Sequence, residues 1–410
     1  MRAFPNLLDP SVIQDPSELY RRLLVEAPVW RIPDTTMYVI SPWDLVVEAV
    51  GRTEDLSSNL EVLLYTGDDG RPALFDMVAL GANISTLATA DPPEHTVHRK
   101  VVFPTLVERR MTGLEPTARE LATEMLGRAL PAGVGGPIQI EWVSALASRL
   151  PLAVLSLLMG FSGPDLDALV EWSLDGAAML AGTCTLTDMA MLAERAAKAG
   201  AYLAEELAAA PGDPEVGIIG AVKKGMDDGV LAPDEAVSTL IILLGAGGES
   251  TGALVGNAVR LLAEHPDLQD RLRADPSLIP AFVEEALRLE SPFRGHYRMA
   301  RRTTEIGGET IPAGSPVLLL WGAANRDPAQ FDDPDELRLD RAHPRGHLAF
   351  GRGLHFCVGA PLARMEARVA IELLLTRSSR FVLDPARPPA YVNSMFVRRH
   401  EHLDLLVDPA

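Results

Sequence analysis

The chain has 410 residues, 47% of them hydrophobic and 23% charged, with a formal charge of −19 and two cysteines. That length and apolar content bury a large core, while the acidic balance argues against broad contact with nucleic acid or an anionic membrane. The distant pair Cys184 and Cys357 forms no disulfide framework, and an alanine- and leucine-rich, aromatic-poor chain (5%) favours a mainly helical fold in a reducing, cytoplasmic setting.

The N-terminal stretch is broken by Pro5, Pro10 and Pro16 and lacks a basic-then-apolar signal. A helix is predicted from about Pro16 to Glu26, then VWRIPDTTMYVI alternates as a short hairpin, and Trp43 to Gly51 returns to helix. Residues 52–90, rich in glycine and small side chains, read as a long irregular loop, of the kind that is usually functional or mobile. Asp91-Pro92-Pro93-Glu94 opens a helix on which His95 and Arg99, four apart, share one face. By itself that pair reads as a solvated basic face. From Glu108 to Ala209 helix follows helix, with interruptions near 131–137 and 160–164, and Pro211-Gly212-Asp213-Pro214 is a turn. No internal repeat, low-complexity tract or linker breaks the chain, so one domain spanning residues 1–410 is expected.

Pro233 to Glu264 is the longest helical pattern, and its apolar run Ala236 to Gly248 is too short to span a bilayer. Its middle carries Gly245, Gly247, Gly248 and Gly252, each costing about 1 kcal/mol relative to alanine. Two readings account for that weakness. Either a break lets a flat ligand or dioxygen lie against the helix beside Glu249, Ser250 and Thr251, or the helix crosses a neighbour through small residues. The next helix, Pro276 to Glu290, contains Glu285-x-x-Arg288 and leads to Phe293, His296 and Arg298-Met299-Ala300. His296 is a candidate specificity residue, with a satisfied structural histidine as the plainer reading. A small hairpin at Gly307-Gly308, a buried run at Leu318–Leu320 and a proline-rich segment with Arg341 follow. Beyond the last long helix, Phe381 to Leu406 reads as short strands and loops, with Met395 and Phe396 among them.

The most informative stretch is HLAFGRGLHFCVGAPLARMEAR, His347 to Arg368. Gly351, Gly353 and Gly359 let backbone approach a flat ligand near Cys357. A helix beginning just after Cys357, with Pro361 early in it, brings N-terminal amides to the sulfur. Phe350 and Phe356 are candidates for an apolar wall. A buried apolar cysteine in a glycine-rich turn is the plain alternative, and a zinc set of His347, His355 and Cys357 lacks a second cysteine pair.

Phe350-x-x-Gly353-x-x-x-Cys357-x-Gly359 resembles the haem-thiolate signature of the cytochrome P450 monooxygenases, most of all their soluble actinobacterial members. Ala246-Gly247-Gly248-Glu249-Ser250-Thr251 resembles that family's acid–alcohol motif, with Ser250 where threonine is usual, a change that removes the methyl restraining the hydroxyl rotamer. The resemblance covers nearly the whole chain and implies a mainly α fold with small β-sheets, a triangular prism. It implies a non-covalent haem b with Cys357 as thiolate ligand, Phe350, Gly351 and Gly359 against the cofactor, and His95, Arg99, Arg298 and His355 on its propionates. Glu249, Ser250 and Thr251 then relay protons, while Glu285, Arg288 and Arg341 form a structural lock. Phe75, Leu80, Asn83, Ile84 and Leu87, together with Leu243, Ala246, Phe293, His296, Met395 and Phe396, fall where the family lines its substrate pocket.

The implied reaction inserts one atom of O2 into a small lipophilic substrate. No complete Gly-x-Gly-x-x-Gly fingerprint is present, so electrons come from NAD(P)H through an external ferredoxin and ferredoxin reductase, with Arg109, Arg110, Arg352, Arg364 and Arg368 as a candidate basic docking patch. A peroxide-driven peroxygenase, a non-catalytic haem sensor or carrier and a cysteine hydrolase are the rival readings.

Overall fold

The computed structural model of the chain describes residues 4–80, 85–131, 133, 136–161, 163 and 165–410. It is mainly helical with small sheets to one side. At its centre runs the helix Pro233–Glu264, whose start combines Pro233 in the first turn with Glu235, the carboxylate of which accepts the Ala232 N–H (2.8 Å). Pro266 opens the next helix, so the long one ends at Glu264. By length and composition the long helix could cross a bilayer, contrary to the sequence reading of its apolar run, but Leu240, Leu244, Val255, Val259 and Leu262 are buried among neighbouring helices.

The glycines of this helix decide between the two sequence readings. The helix is unbroken from Pro233 to Glu264. A Cβ on Gly248 would lie 2.5 Å from both the Leu152 side chain and Ser173 Oγ, and one on Gly252 would lie 2.7 Å from the Ala147 carbonyl oxygen. Glycine is therefore required where Leu150–Met159, Leu166–Ala178 and the turn Val143–Ala147 press against the helix. Gly248 and Gly252 thus seat other helices, while Gly245 has no neighbour nearer than 3.9 Å.

The main sheet orders its strands Val29–Arg31, Tyr38–Ile40, Pro316–Leu319, His296–Ala300 and Leu56–Ser57. Its second and third strands are parallel, with Leu318 opposite Val39, and the other pairs are antiparallel, with Leu318 opposite Tyr297. Residues 52–90 depart from expectation. Val62–Thr66 and Pro72–Asp76 pair as a hairpin across a turn at Gly67–Gly70, with Gly70 in the left-handed region that the turn demands. Ser378–Leu383, Asp404–Pro409 and Ile138–Glu141 form a three-stranded sheet, and Ala390–Tyr391 pairs with His400–His402 beside the central helix.

Candidate active site

The loop before Cys357 folds as its glycines dictate. Gly351 and Gly353 adopt φ of 65° and 69°, which a side chain would strain. The Cys357 N–H donates to the Phe350 carbonyl (2.9 Å), and the helix Ala360–Arg377 starts three residues later. Burial pushes the Cys357 thiol up, while amides of Gly359 and Ala360 donating to the sulfur and the nearby Arg364 guanidinium pull it back. Glu284, which the sequence reading passed over for its neighbour, braces this loop. It accepts from Arg364 Nε and Nη2 (2.6 and 2.9 Å) and bonds His347 Nε2 at 2.9 Å. Arg364 also lies over the Phe350 ring at 4.5 Å. Phe356 turns outward, 45% exposed, so of the two candidate walls only Phe350 packs against the core. With His347 committed to Glu284, no three histidine, cysteine, aspartate or glutamate side chains among the described residues converge on a metal position.

His95 and Arg99, on the helix Glu94–Val102, face this loop. The His95 ring lies 4.3 Å from that of His355, and Arg99 donates to the Leu354 carbonyl (2.8 Å). His355 Nε2 meets Ser58 Oγ at 2.9 Å, a contact with no signal in the sequence. Arg298 comes in from the main sheet, 8% exposed, donating to its neighbour Tyr297's carbonyl (2.7 Å). Among the described residues none of these four side chains pairs with a carboxylate. Burial lowers His355 to about 3, helped by Arg298, His95, His296 and Arg99, and burial brings Arg298 down to about 10 against the pull of Asp91. Nδ1 of buried His95 has no hydrogen-bond partner among the described residues. A cluster of two imidazoles and two guanidiniums, His95 and Arg298 buried and Arg99 and His355 half-buried, with no paired acid, is complementary to a dianion, and the paired propionates of a haem fit that donor set.

On the central helix Ala246 is exposed, Ser250 half-buried and Thr251 buried. The Ser250 hydroxyl donates back to the Ala246 carbonyl (2.6 Å), one turn earlier. Glu249 is 3% exposed and its Oε1 accepts from Arg399 Nε (3.0 Å), a partner the sequence reading missed, although the run Arg398-Arg399-His400 is an unusual charge cluster for a buried strand end. Burial raises the Glu249 carboxyl to about 7 against the opposing pull of Arg399.

Phe293, His296 and Phe396 meet edge-on or tilted with centroids 4.9–5.7 Å apart. Trp321 Nε1 donates to His296 Nδ1 (2.7 Å), which leaves the imidazole hydrogen on Nε2, and burial with Arg298 beside it lowers His296 to about 3. Leu243 is half-buried, and so is Leu87, at φ 44° with its N–H directed at His98 Nδ1 (3.4 Å). Phe75 is half-buried in the hairpin. Met395 differs from the expectation: it is buried against Gly182, with Leu8 alongside, and its N–H donates to the Ala181 carbonyl (2.9 Å), so it packs with the N-terminal segment. Asn83, Ile84 and the side chain of Leu80 lie outside the described residues.

Arg288 donates to both Glu285 oxygens (2.8 and 2.9 Å) and Arg341 Nε to Oε1 (2.9 Å), with Glu285 and Arg288 at most 1% exposed. The basic patch is less free than its sequence suggests. Arg364 is held by Glu284, Arg368 by Glu115 and Glu372, and Arg110 by the carbonyls of Pro214 and Glu215. Arg352 lies over Trp43 at 5.6 Å.

A model of the cytochrome P450 family matches residues 218–407. Cytochrome P450 144 of Mycobacterium tuberculosis is 42% identical over 395 residues, covering 96% of this chain and 89% of that protein. The 6-deoxyerythronolide B hydroxylase of Saccharopolyspora erythraea is 35% identical over 335 residues, or 79% of this chain and 78% of that one. Among solved structures, the Bacillus megaterium cytochrome P450 CYP109E1 in complex with testosterone superimposes with a TM-score of 0.82 at 27% identity, covering 97% and 98% of the two chains. Likeness that runs the length of both sequences and of the fold leaves one conclusion: this chain belongs to the cytochrome P450 family, the haem-containing monooxygenases.

Proposed function

We propose that this chain hydroxylates a lipophilic organic substrate at a haem b ligated by Cys357, using electrons from an external ferredoxin and its reductase. The observation that carries the reading is the basic cluster of His95, Arg99, Arg298 and His355 near Cys357, none of them paired with a carboxylate among the described residues and together suited to two propionates. A haem bound there supplies activation of dioxygen, one atom of which enters a substrate C–H bond while the other leaves as water. The chain's own residues do the rest. Gly359 and Ala360 amides and Arg364 favour the thiolate form of Cys357. Phe350 keeps water from its flank. Glu249, poised near neutrality, takes up and releases a proton at physiological pH, and the Ser250 hydroxyl passes it on once it turns from the Ala246 carbonyl, with Thr251 as an alternate hydroxyl.

Phe293 and Phe396 offer aromatic surface to an apolar body, and Nε2–H of neutral His296 offers one fixed donor to a carbonyl or hydroxyl on it. A relative named 6-deoxyerythronolide B hydroxylase and a solved structure in complex with testosterone support a bulky lipophile. The test is the reduced protein under carbon monoxide: a Soret band far to the red is expected, and its survival in Cys357→His would overturn the ligand assignment. Turnover with ferredoxin, reductase and NADPH, set against hydrogen peroxide alone, separates the monooxygenase from a peroxygenase, and no turnover with either leaves a sensor or carrier.

A further inference from the structure

At the end of the central helix away from Pro233 lies a cavity of about 290 Å3, to which Arg260 and Glu264 of that helix contribute. None of the residues placed around Cys357 lines it. Its volume approaches that of ordinary small-molecule sites, and Gln14, Asp15 and Glu264 in the lining are exposed, so it opens to solvent. Four guanidiniums line it, those of Arg260, Arg294, Arg326 and Arg398. Three of them are paired: Arg260 with Glu264 (2.6 Å) and Glu290 (2.8 Å), Arg398 with Glu290 (2.6 Å), and Arg326 with Asp335 (2.7 Å). Arg294 differs. Its Nη2 donates to the Ile13 carbonyl (2.7 Å) and Tyr20 is a second partner, but no ion pair forms and its buried Nε has no hydrogen-bond partner among the described residues. At 4% exposure this charge is nearly out of water, and burial pushes its pKa below the ordinary value despite the pull of Tyr20.

We propose that this cavity is a second small-molecule site, which takes a monocarboxylate with its oxygens on Arg294 and its apolar body against Tyr20, Leu289 and Pro389. A guanidinium stays charged inside a protein, and its planar fork matches a carboxylate. Buried without a counter-charge it is costly, and a carboxylate supplies that charge. The acids in the same wall fix how much negative charge fits. Glu290 accepts from Arg260, Arg398 and the Tyr391 hydroxyl (3.4 Å), and Asp15 accepts the Ser17 N–H (3.1 Å), so both are engaged away from Arg294. Together with Glu264 they repel a second negative charge, which favours a monoanion over a phosphate dianion. The site backs onto the aromatic cluster. Arg294 N–H donates to the Phe396 carbonyl (2.7 Å) and its carbonyl accepts from Gly322 N–H (2.9 Å), while Phe293, one residue earlier, meets His296 and Phe396.

Benzoate tests this on the haem-loaded ferric protein, with benzyl alcohol and inorganic phosphate as controls. Neither turnover nor electrons are needed, so the outcome stands apart from the monooxygenase reading. A crystal soaked in benzoate is expected to show its carboxylate within hydrogen-bond reach of Arg294. Calorimetry with a bulky azole already bound at the haem should still register benzoate, and should register benzyl alcohol and phosphate more weakly. Arg294→Gln should weaken benzoate about 10- to 100-fold through loss of the charge-assisted bonds. Ser17, half-buried in the lining, offers a second variant: Ser17→Trp fills the cavity, leaves Arg294 in place and should abolish benzoate binding with the Soret band unmoved. Benzoate found only elsewhere, water alone in the cavity, or either control bound as tightly as benzoate overturns the proposal. So does an unchanged affinity in Arg294→Gln, and should that variant fail to fold, an unchanged affinity in Ser17→Trp overturns it equally.

Discussion

Arg298 is a buried cation whose side chain, among the described residues, bonds a single carbonyl, and burying such a group is costly without an anion. If it holds a propionate, Arg298→Leu removes one charge-assisted bond worth about 1.5–3 kcal/mol, so haem should transfer to apomyoglobin roughly 10- to 100-fold faster. An unchanged transfer rate would take Arg298 out of the cofactor set. Glu285 sits at the opposite extreme, an acid 1% exposed with Arg288, Arg341 and the Arg338 amide all donating to it. Replacing Glu285 with glutamine leaves two guanidiniums without their counter-charge. That should cost about 3–5 kcal/mol, read as a lower urea midpoint at unchanged m-value.

Among the elements, the central helix shows how the same residue type has opposite uses a few positions apart. Gly252→Ala drives a Cβ against the Ala147 carbonyl oxygen at 2.7 Å, and backbone there must move. The expected loss of about 1–3 kcal/mol from overpacking exceeds the gain in helix propensity. At Gly245 the nearest atom is the Ser173 carbonyl oxygen at 3.9 Å, so Gly245→Ala should stabilise the helix by up to about 1 kcal/mol. Thermal melts of the two variants moving in the same direction would contradict this reading of the crossing. The hairpin Val62–Asp76 makes a related point: its two strands became visible only as partners of each other, because neither is long or strongly alternating by itself.

At the scale of the whole molecule, two buried acids tie distant segments together. Glu284 joins the helix Ile279–Leu289 to the cysteine loop and the cysteine helix, and Glu290 joins the central helix, through Arg260, to Arg398 near the C-terminus. Burial works to raise both, but for Glu284 the bonds from His347 and Arg364, and for Glu290 the charges of Arg398, Arg260 and Arg326, prevail and carry each down to about 2. A carboxyl depressed in the folded chain contributes stability that is complete above its ordinary value of 4.5 and is lost as pH falls through about 2. Melting temperature should therefore fall steeply between about pH 4.5 and 2, with Glu284 alone contributing on the order of 3 kcal/mol. Glu284→Gln should flatten that slope while lowering the plateau at neutral pH. Equal slopes in the two proteins would show that Glu284 is not a source of the acid sensitivity.

Local chemistry determined much of this protein before any folding was known. Proline and acid at Pro233 and Glu235 start a helix wherever they stand, glycines at 351 and 353 permit a left-handed loop, and the periodicity of Trp43 to Gly51 needs no partner to be read. The family itself was legible because its cysteine and acid–alcohol motifs are each contiguous in sequence. What only the tertiary structure decided is everything that depends on side chains far apart in the chain. Arg399 reaches Glu249 across 150 residues, Ser58 reaches His355 across 297, and Trp321 sets the tautomer of His296. Gly248 and Gly252 of the central helix turned out to serve packing, and Arg364, exposed on paper, turned inward to Glu284. Propensity is a property of neighbours along the chain, whereas burial, charge pairing and cavity lining are properties of neighbours in space, and only the fold selects those.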